Sequence, residues 1–233
     1  MVEPFYQNSE FSINEQKFLS RNKLTKILPQ DGFLIDKIPY ASPNNFCNTQ
    51  LYSHNFIYLH LATYEKLLIA QKYANQINLK LRLFDGYRPF AVQAFMADKF
   101  PHHVKSGYVS HPQDGVATHV RGIAIDLTLC DCNGIDLDMG SAFDEMSTIS
   151  FHDFKQLSPQ IINNRLTLLN IMEKAGFQAY PYEWWHYNLP IFKYDLNHNF
   201  IGTITQAQEN YPKITDNFID LLGKDVIEFY SLG

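Results

Sequence analysis

The clearest alternation of apolar and polar positions lies in residues 123–129, whose sequence is IAIDLTL. Every second position is aliphatic, and Asp126 stands on the other face between Ala124 and Thr128. A period of two predicts a β-strand. Asn133-Gly134 is a strong signal for a two-residue hairpin, so residues 135–139 are expected to return antiparallel to this strand.

Two longer segments have the apolar spacing of amphipathic helices. The first covers residues 64–77, YEKLLIAQKYANQI. The second follows Ser158-Pro159, which have the residue types of an N-cap and a first helical position, and it ends at Gly176. Pro89 predicts a shorter helix over residues 90–100. The tail after residue 205 has a weaker helical pattern.

Two further strands are expected from shorter stretches. Residues 79–88 alternate and run into a turn at Asp85-Gly86-Tyr87-Arg88-Pro89, and residues 183–189 enter a short strand. A hairpin among the strands, with the helices set apart, favours an α+β fold over a parallel doubly wound sheet. We therefore predict a small central antiparallel sheet flanked by helices.

The 233 residues fit a single domain with a substantial core. Within it we distinguish three segments. Residues 1–55 are expected to be irregular and to wrap the core or form part of a pocket wall, because they are rich in Asn, Pro and Ser. Residues 56–190 are expected to form the core that carries any functional site, and residues 191–233 a C-terminal extension.

Composition excludes several classes of function. The net charge is -5 and no basic run is long, so nucleic acid is not expected as a partner. No apolar run approaches the length of a membrane span, and the N-terminus lacks the regions of a signal peptide. Three cysteines without framework spacing indicate reduced thiols and a cytoplasmic setting, or a periplasmic one if a signal peptide was trimmed. The oligomeric state stays open.

Two short segments supply the residue types of a catalytic metal site. Residues 118–126 contain His119 and Asp126, and residues 183–186 contain Glu183 and His186. Two imidazoles and a carboxylate without a thiolate suit a catalytic zinc ion, although other divalent transition ions remain open. The alternative is a surface position for His119 and an arginine partner for Asp126.

Glu183 precedes His186 by three residues, so the two side chains would point to opposite faces of a regular strand. We therefore expect Glu183 in the loop before the strand. From there its carboxylate can act as a general base towards water while His186 binds the metal. The alternative is an aromatic-rich core strand whose polar residues face solvent.

Four blocks of the sequence together carry a resemblance to a known family. They are DGYRP at 85–89, HVRGIAIDLTL at 119–129, MGSAFD at 139–144 and EWWHY at 183–187. In this order they resemble the D-alanyl-D-alanine dipeptidases, zinc peptidases of the vancomycin-resistance type and their chromosomal relatives. The resemblance runs from about residue 60 to residue 190.

The resemblance implies a small α+β domain that hydrolyses a free dipeptide with one zinc ion. It implies three zinc ligands, His119, Asp126 and His186, with Glu183 as the general base. Further implied roles are stabilisation of the tetrahedral intermediate by Arg88, recognition of the substrate ammonium by Asp144, substrate contacts from Tyr87 and Trp185, and support of the site by Asp85.

One position departs from the family pattern. Ala117 stands where the family often has a serine, and residues 110–116 resemble an insertion. Both features leave the specificity for the substrate's carboxyl end open. The competing interpretations are a related carboxypeptidase or endopeptidase acting on longer cell-wall peptides, and a non-catalytic zinc-bearing binding module. The physiological role, whether resistance, peptidoglycan recycling or nutrient use, also stays open.

Overall fold

A four-stranded antiparallel sheet is the centre of the molecule in this computed structural model, which describes residues 12–113, 117–194, 200–203, 209–216 and 221–231. The strands are β1 (Leu24–Lys26), β2 (Tyr58–His60), β3 (Lys80–Asp85), β4 (Ala124–Cys130), β5 (Gln178–Ala179), β6 (His186–Asn188), β7 (Phe192–Tyr194) and β8 (Phe200–Thr203). The helices are α1 (Ser12–Arg21), α2 (Leu61–Gln76), α3 (Phe90–Lys99), α4 (Pro101–Lys105), α5 (Pro159–Lys174) and α6 (Lys224–Ser231).

The central sheet has the order β3-β4-β6-β5, and every neighbouring pair is antiparallel. Two further sheets have two strands each: β1 pairs with β2, and β7 pairs with β8. Helices α2 and α5 contact each other and the central sheet. The predicted α+β class with an antiparallel sheet is therefore confirmed.

Strand β4 is buried on both faces. Its aliphatic residues Ile125, Leu127 and Leu129 are fully enclosed in the main hydrophobic core. Asp126 on the opposite face is also buried, with 2% of its surface exposed. The alternation predicted the strand, but burial of its polar face comes from the segments packed around it.

The helix predictions are confirmed with small changes at the ends. Helix α2 begins three residues before the predicted start, and α3 ends one residue before the predicted end. The Ser158 side chain accepts a hydrogen bond from the Ile161 amide and caps α5, as expected. In the described part of the tail, residues 209–210 and α6 are helical, whereas residues 206–208, 217–220 and 232–233 of that pattern lie outside the described residues.

Two sequence predictions need correction. The described part of the segment 1–55 is not wholly irregular, because it contains α1 and β1, and β1 pairs with β2. The hairpin at Asn133-Gly134 also differs. The Asp131 carboxylate accepts hydrogen bonds from the Asn133 and Ile135 amides, which widens the turn. The antiparallel return is present but short: the Asp131 amide donates to the Ile135 carbonyl, Cys130 and Asp136 form a bridge, and the Leu137 amide donates to the Leu129 carbonyl.

A second, smaller apolar cluster joins both ends of the described chain to the sheet region. It contains Phe18, Leu24, Tyr58, Tyr87, Ile214 and Leu221. Nearby, the Ile214 amide donates to the Val120 carbonyl at 2.9 Å, and the Arg121 guanidinium donates to the Tyr211 carbonyl. The C-terminal segment therefore rests against the turn at residues 119–121. Within the described residues, no helix has the length and apolarity needed to cross a membrane.

Gly122 ends this turn with a φ of 68°, and it lies close to β1 and β2. A methyl group there would lie 2.7 Å from Leu24 Cδ2 and 2.9 Å from the His60 amide nitrogen. Gly134 has a similar φ of 80°, but a methyl group there would meet its nearest atom at 3.5 Å. Comparing the two glycines therefore separates the cost of backbone strain from the cost of steric overlap.

We expect Gly134→Ala to lower the free energy of unfolding by about 1 kcal/mol, because it adds only left-handed strain. Gly122→Ala should lower it by about 2–4 kcal/mol, because overlap is added to that strain. Urea denaturation of both variants measures the difference. Equal losses would contradict the close packing of Gly122 against β1 and β2.

Candidate metal centre and active site

The strand register brings three polar residues into one row across the central sheet. Asp126 of β4 pairs with Asp85 of β3 on one side and with His186 of β6 on the other. A bulge between Leu83 and Asp85 adjusts β3 at this point. His119 joins the row from the 3-10 turn at residues 119–121, just before β4. All four side chains are buried.

The candidate ligands His119, Asp126 and His186 converge on one point. His119 Nε2 lies 3.2 Å from His186 Nδ1 and 3.3 Å from Asp126 Oδ2. His186 Nδ1 lies 3.1 Å from Asp126 Oδ1. Ligands about 2.0–2.1 Å from a common tetrahedral ion lie roughly 3.3 Å apart. The three side chains therefore have the spacing of metal ligands.

Hydrogen bonds on the outer ring nitrogens support the same interpretation. His119 Nδ1 lies 2.7 Å from the Gly86 carbonyl oxygen, which can only accept, so this nitrogen carries the hydrogen and Nε2 carries the lone pair. His186 Nε2 lies 3.4 Å from the Thr118 hydroxyl, and burial lowers the pKa of His186, which favours a neutral ring. Two lone pairs and a carboxylate that face one another are stable when a cation lies between them.

Glu183 lies in the turn immediately before β6, where the sequence spacing predicted it. Its Oε2 is 3.8 Å from His186 Nδ1, beside the cluster of candidate ligands. Burial, followed by the neighbouring Asp126 and Asp144 carboxylates, raises the pKa of Glu183 well above its usual range. A carboxylate with a raised pKa is suited to accept and return a proton.

Arg88 is held in a fixed orientation by buried partners. Its Nε and Nη2 donate to Asp85 Oδ2 at 3.0 and 2.7 Å, and its Nη1 donates to Gln93 Oε1 at 3.0 Å. Asp85 is held in turn by the Tyr52 hydroxyl, which donates to Oδ1 at 2.6 Å. The guanidinium Nη2 also lies 3.8 Å from Asp126 Oδ2. This arrangement points a permanent positive charge towards the cluster.

Asp144 lines the same cavity as Arg88 and has a left-handed backbone conformation with a φ of 61°. Its Oδ1 accepts a hydrogen bond from the Tyr40 hydroxyl at 3.2 Å. Its Oδ2 is shielded from solvent and has no hydrogen-bond partner among the described residues. Burial, followed by the charge of Asp126, raises the pKa of Asp144 well above its usual range. A cationic partner would restore the charged form.

These groups share a cavity of about 250 Å³. Its lining combines aromatic and aliphatic side chains with charged and polar ones. Besides the candidate ligands, Glu183, Arg88 and Asp144, the lining includes Tyr40, Phe46, Gln93, Val104, Gly107, Tyr108, Val109, Ser110, Thr118, Met146, Tyr180, Tyr182 and Trp185. A cavity of this kind is suited to a small ligand with both polar and apolar parts.

Comparison with known proteins gives the family. A family model described as D-Ala-D-Ala dipeptidase matches residues 22–206, which is most of the chain. The chain belongs to the D-Ala-D-Ala dipeptidase family.

Curated relatives within this family agree with the match. The D-alanyl-D-alanine dipeptidase of Escherichia coli (strain K12) is 36% identical over 154 residues, covering 66% of this chain and 78% of that protein. The D-alanyl-D-alanine dipeptidase of Enterococcus faecium is 36% identical over 171 residues, covering 64% and 83%. That of Streptomyces coelicolor (strain ATCC BAA-471 / A3(2) / M145) is 35% identical over 135 residues, covering 52% and 67%. The protein is thus a peptidase of this family, and the cluster of two histidines and an aspartate indicates a metal.

Within this dipeptidase-family site, one sequence prediction is corrected. Tyr87 was expected to contact substrate, but it is not among the described residues that line the cavity. It packs in the smaller apolar cluster, with its ring centroid 6.2 Å from that of Phe18. In the loop at residues 86–89, Arg88 therefore faces the cavity while Tyr87 packs away from it. Trp185 does line the cavity and packs edge-on against Phe143.

Sequence reasoning did not single out Tyr40, Tyr52 or Gln93. Tyr40 and Tyr52 come from the irregular segment before β2, where no periodicity marks an inward side chain. Gln93 has a weak signal, because it lies one helical turn after the Arg88-Pro89 pair and is therefore near the arginine. The three residues hold Asp144, Asp85 and Arg88 in place.

We expect Asp85→Asn to lower the free energy of unfolding by about 3 kcal/mol, because the buried guanidinium of Arg88 loses its charged partner. The matched control is Asp36→Asn. Asp36 also pairs with a buried arginine, Arg82, but its side chain is 57% exposed, so its loss should cost less than about 1 kcal/mol. Chemical denaturation compares the two, and similar losses would contradict a structural role for the Asp85–Arg88 pair.

Proposed function

We propose that this protein is a zinc-dependent dipeptidase that hydrolyses D-alanyl-D-alanine or a similar free dipeptide. The observation that carries the proposal is the convergence of His119, His186 and Asp126. His119 Nε2 lies 3.2 Å from His186 Nδ1 and 3.3 Å from Asp126 Oδ2, and His186 Nδ1 lies 3.1 Å from Asp126 Oδ1. Family membership and relatives described as D-alanyl-D-alanine dipeptidases support the substrate class.

Zinc is the proposed ion because two imidazoles and one carboxylate are a ligand set that catalytic zinc sites use. When bound, zinc polarises the peptide carbonyl and lowers the pKa of a water molecule to about 7. His119 and His186 would bind it through the ring nitrogens that carry lone pairs. The Gly86 carbonyl and the Thr118 hydroxyl would hold the two rings in the required orientation.

Glu183 is the proposed general base. It would take a proton from the attacking water and then deliver it to the leaving amine. Its raised pKa supports this role, because the carboxylate gains stability when it accepts a proton. Its place in the turn before β6, 3.8 Å from His186 Nδ1, brings it beside the proposed ion without making it part of the ligand cluster.

Arg88 is the proposed donor to the oxygen that becomes negatively charged in the transition state. Bonds to Asp85 and Gln93 use three of its five N–H groups among the described residues, which leaves donors on Nη1 and Nη2 for a ligand. Because the bonds already fix the guanidinium, little reorganisation is needed when charge develops.

Asp144 is the proposed anchor for the substrate ammonium, with Tyr40 holding its other oxygen. Trp185 is the proposed apolar contact beside it. An anchor of this kind distinguishes a dipeptidase from a carboxypeptidase or endopeptidase, whose substrates continue as an amide at that end. A non-catalytic zinc-bearing module is less well supported, because it would not need Glu183 in a buried position beside the metal ligands.

A reducing compartment such as the cytoplasm is the proposed setting. Cys47, Cys130 and Cys132 are all free thiols, and burial raises the pKa of the Cys47 and Cys130 thiols to about 12. Thiols with such raised pKa values stay protonated and unreactive, which fits structural rather than catalytic roles.

Metal content and turnover should separate the ligands from the base. We expect His186→Ala to lose most bound zinc, whereas Glu183→Gln should keep zinc and lose about 100- to 10,000-fold in kcat. Elemental analysis and initial rates on D-Ala-D-Ala measure both quantities. Glu173→Gln, an exposed change on α5, is the control for loss of a carboxylate. Zinc lost from folded Glu183→Gln would make Glu183 a ligand, and unchanged turnover would remove it from the mechanism.

Substrate charge should control activity through Asp144. We expect wild-type protein to cleave free D-Ala-D-Ala and to cleave the N-acetylated form very poorly. Asp144→Asn should lower kcat/KM on the free dipeptide by about 10- to 100-fold, because a charge-assisted hydrogen bond is lost. The ratio of kcat/KM on the free dipeptide to kcat/KM on the acetylated one should therefore be smaller than in the wild type.

Asp138→Asn is the matched control, because Asp138 is exposed and lies in the same loop. It should leave both rates near those of the wild type. Equal wild-type rates on free, acetylated and longer peptides would instead favour the carboxypeptidase or endopeptidase interpretation.

A further inference from the structure

Gln93 is a buried glutamine whose amide makes two different contacts at the cavity. Only 2% of its surface is exposed, and it lies in the first turn of α3. Its Oε1 accepts a hydrogen bond from Arg88 Nη1 at 3.0 Å, and its Nε2 donates to the Ser110 carbonyl oxygen at 2.7 Å. One side chain therefore connects the arginine to a segment of the cavity wall.

The two contacts cannot be exchanged between the two ends of the amide. A guanidinium only donates hydrogen bonds and a carbonyl oxygen only accepts them, so Gln93 must direct its oxygen to Arg88 and its nitrogen to Ser110. A carboxylate would satisfy Arg88 alone, and an apolar side chain would satisfy neither partner. The structure thus requires an amide at this position.

The guanidinium of Arg88 is therefore hydrogen-bonded to two different side chains. Asp85 holds Nε and Nη2, and Gln93 holds Nη1 on the far side of the same planar group. A single carboxylate would still allow the guanidinium to pivot about that contact, whereas a second acceptor on Nη1 opposes the pivot. Gln93 is therefore what sets the direction of the remaining Nη1 donor.

The contact with Ser110 fixes one end of the wall formed by residues 107–110. Gly107, Tyr108, Val109 and Ser110 all line the cavity. The Tyr180 hydroxyl holds the other end of this wall through the Gly107 carbonyl at 2.9 Å, and the Tyr108 and Val109 amides donate to the His103 carbonyl. Through its two hydrogen bonds, Gln93 connects residues 107–110 to Arg88.

We propose that Gln93 is a positioning residue that sets the orientation of Arg88 and the place of the wall at residues 107–110 together. This role rests on the proposed dipeptidase function, in which Arg88 faces the developing oxyanion and the wall encloses the dipeptide. The amide oxygen of Gln93 serves the chemical step, and the amide nitrogen serves substrate enclosure. Its two ends should therefore affect different kinetic constants.

Two substitutions separate these ends. Gln93→Met removes both contacts, so it should lower kcat and raise KM. The expected loss in kcat is about 10- to 100-fold, which is smaller than the 100- to 1000-fold loss caused by deleting such a donor altogether. Gln93→Glu keeps the acceptor for Arg88 but repels the Ser110 carbonyl. It should recover most of the lost kcat and keep the raised KM.

The matched control is Gln71→Met. Gln71 is also a buried helical glutamine with both amide ends in use, accepting from the Leu81 amide and donating to Asn75 Oδ1, but it lies in α2 away from the cavity. Its loss should lower thermal stability and leave kcat and KM of the folded enzyme unchanged. A purely structural role for Gln93 would give the same result as this control.

Hydrogen exchange followed by NMR tests the same contacts without any substrate. The Arg88 side-chain N–H groups should exchange faster in Gln93→Met than in Gln93→Glu, and the Tyr108 and Val109 amides should exchange faster than wild type in both. Gln71→Met should change neither. If wild-type protein hydrolyses no dipeptide, the proposed function fails, and this exchange pattern still decides whether Gln93 holds Arg88 and the wall.

Three results would overturn the proposal. The first is a kcat of Gln93→Met within about twofold of the wild type, and the second is a kcat of Gln93→Glu no higher than that of Gln93→Met. The third is unchanged exchange of the Tyr108 and Val109 amides in both variants. The first two would remove the role towards Arg88, and the third would remove the role towards the wall.

Discussion

The burial of Asp126 at the centre of the sheet is the constraint on which the rest of the site depends. A carboxylate with 2% exposure, on the strand that carries the core, cannot remain charged without compensation. Burial opposes its ionisation, whereas protonation of His119 and His186, whose ring nitrogens face it, would hold the pKa of Asp126 well below its usual range. A cation bound between the neutral rings and the carboxylate would have the same effect. The bulge in β3 and the turn before β4 bring the compensating groups to it.

The cavity gathers more carboxyl groups than the positive charge of Arg88 can compensate. Asp85 and Arg88 form a neutral pair, which leaves the carboxylates of Asp126, Asp144 and Glu183 around one small space. Their repulsion contributes to the raised pKa values of Asp144 and Glu183. In the proposed function, a divalent ion and a substrate ammonium together bring three positive charges. Their binding would offset the repulsion among the three carboxylates, so this repulsion favours binding of both.

Local patterns in the sequence predicted the parts of this arrangement that depend on near neighbours. Alternation in residues 123–129 predicted the strand and placed Asp126 on the face opposite its aliphatic residues. The three-residue spacing of Glu183 and His186 predicted that the glutamate lies in the loop before the strand. The cap at Ser158 was also evident from residue types alone. Each of these signals lies within a few residues of the feature it predicts.

The parts that escaped prediction depend on contacts between distant segments. Tyr40 and Tyr52 reach Asp144 and Asp85 from an aperiodic segment, so nothing near them in the sequence indicates their partners. The outward direction of Tyr87 follows from packing against Phe18 in α1, a helix whose few apolar residues gave no clear pattern. Sequence motifs thus predicted which residues gather at the site, whereas tertiary packing decides which of them face the cavity.

The C-terminal segment supports the candidate site from outside the region that the family model covers. The family match ends at residue 206, yet Tyr211 and Ile214 bond to the backbone and side chain of the turn that carries His119. Mutations in this tail alter no shared motif, but they change the support beneath a candidate metal ligand. The position of His119 therefore depends in part on a segment that lies beyond the region covered by the family model.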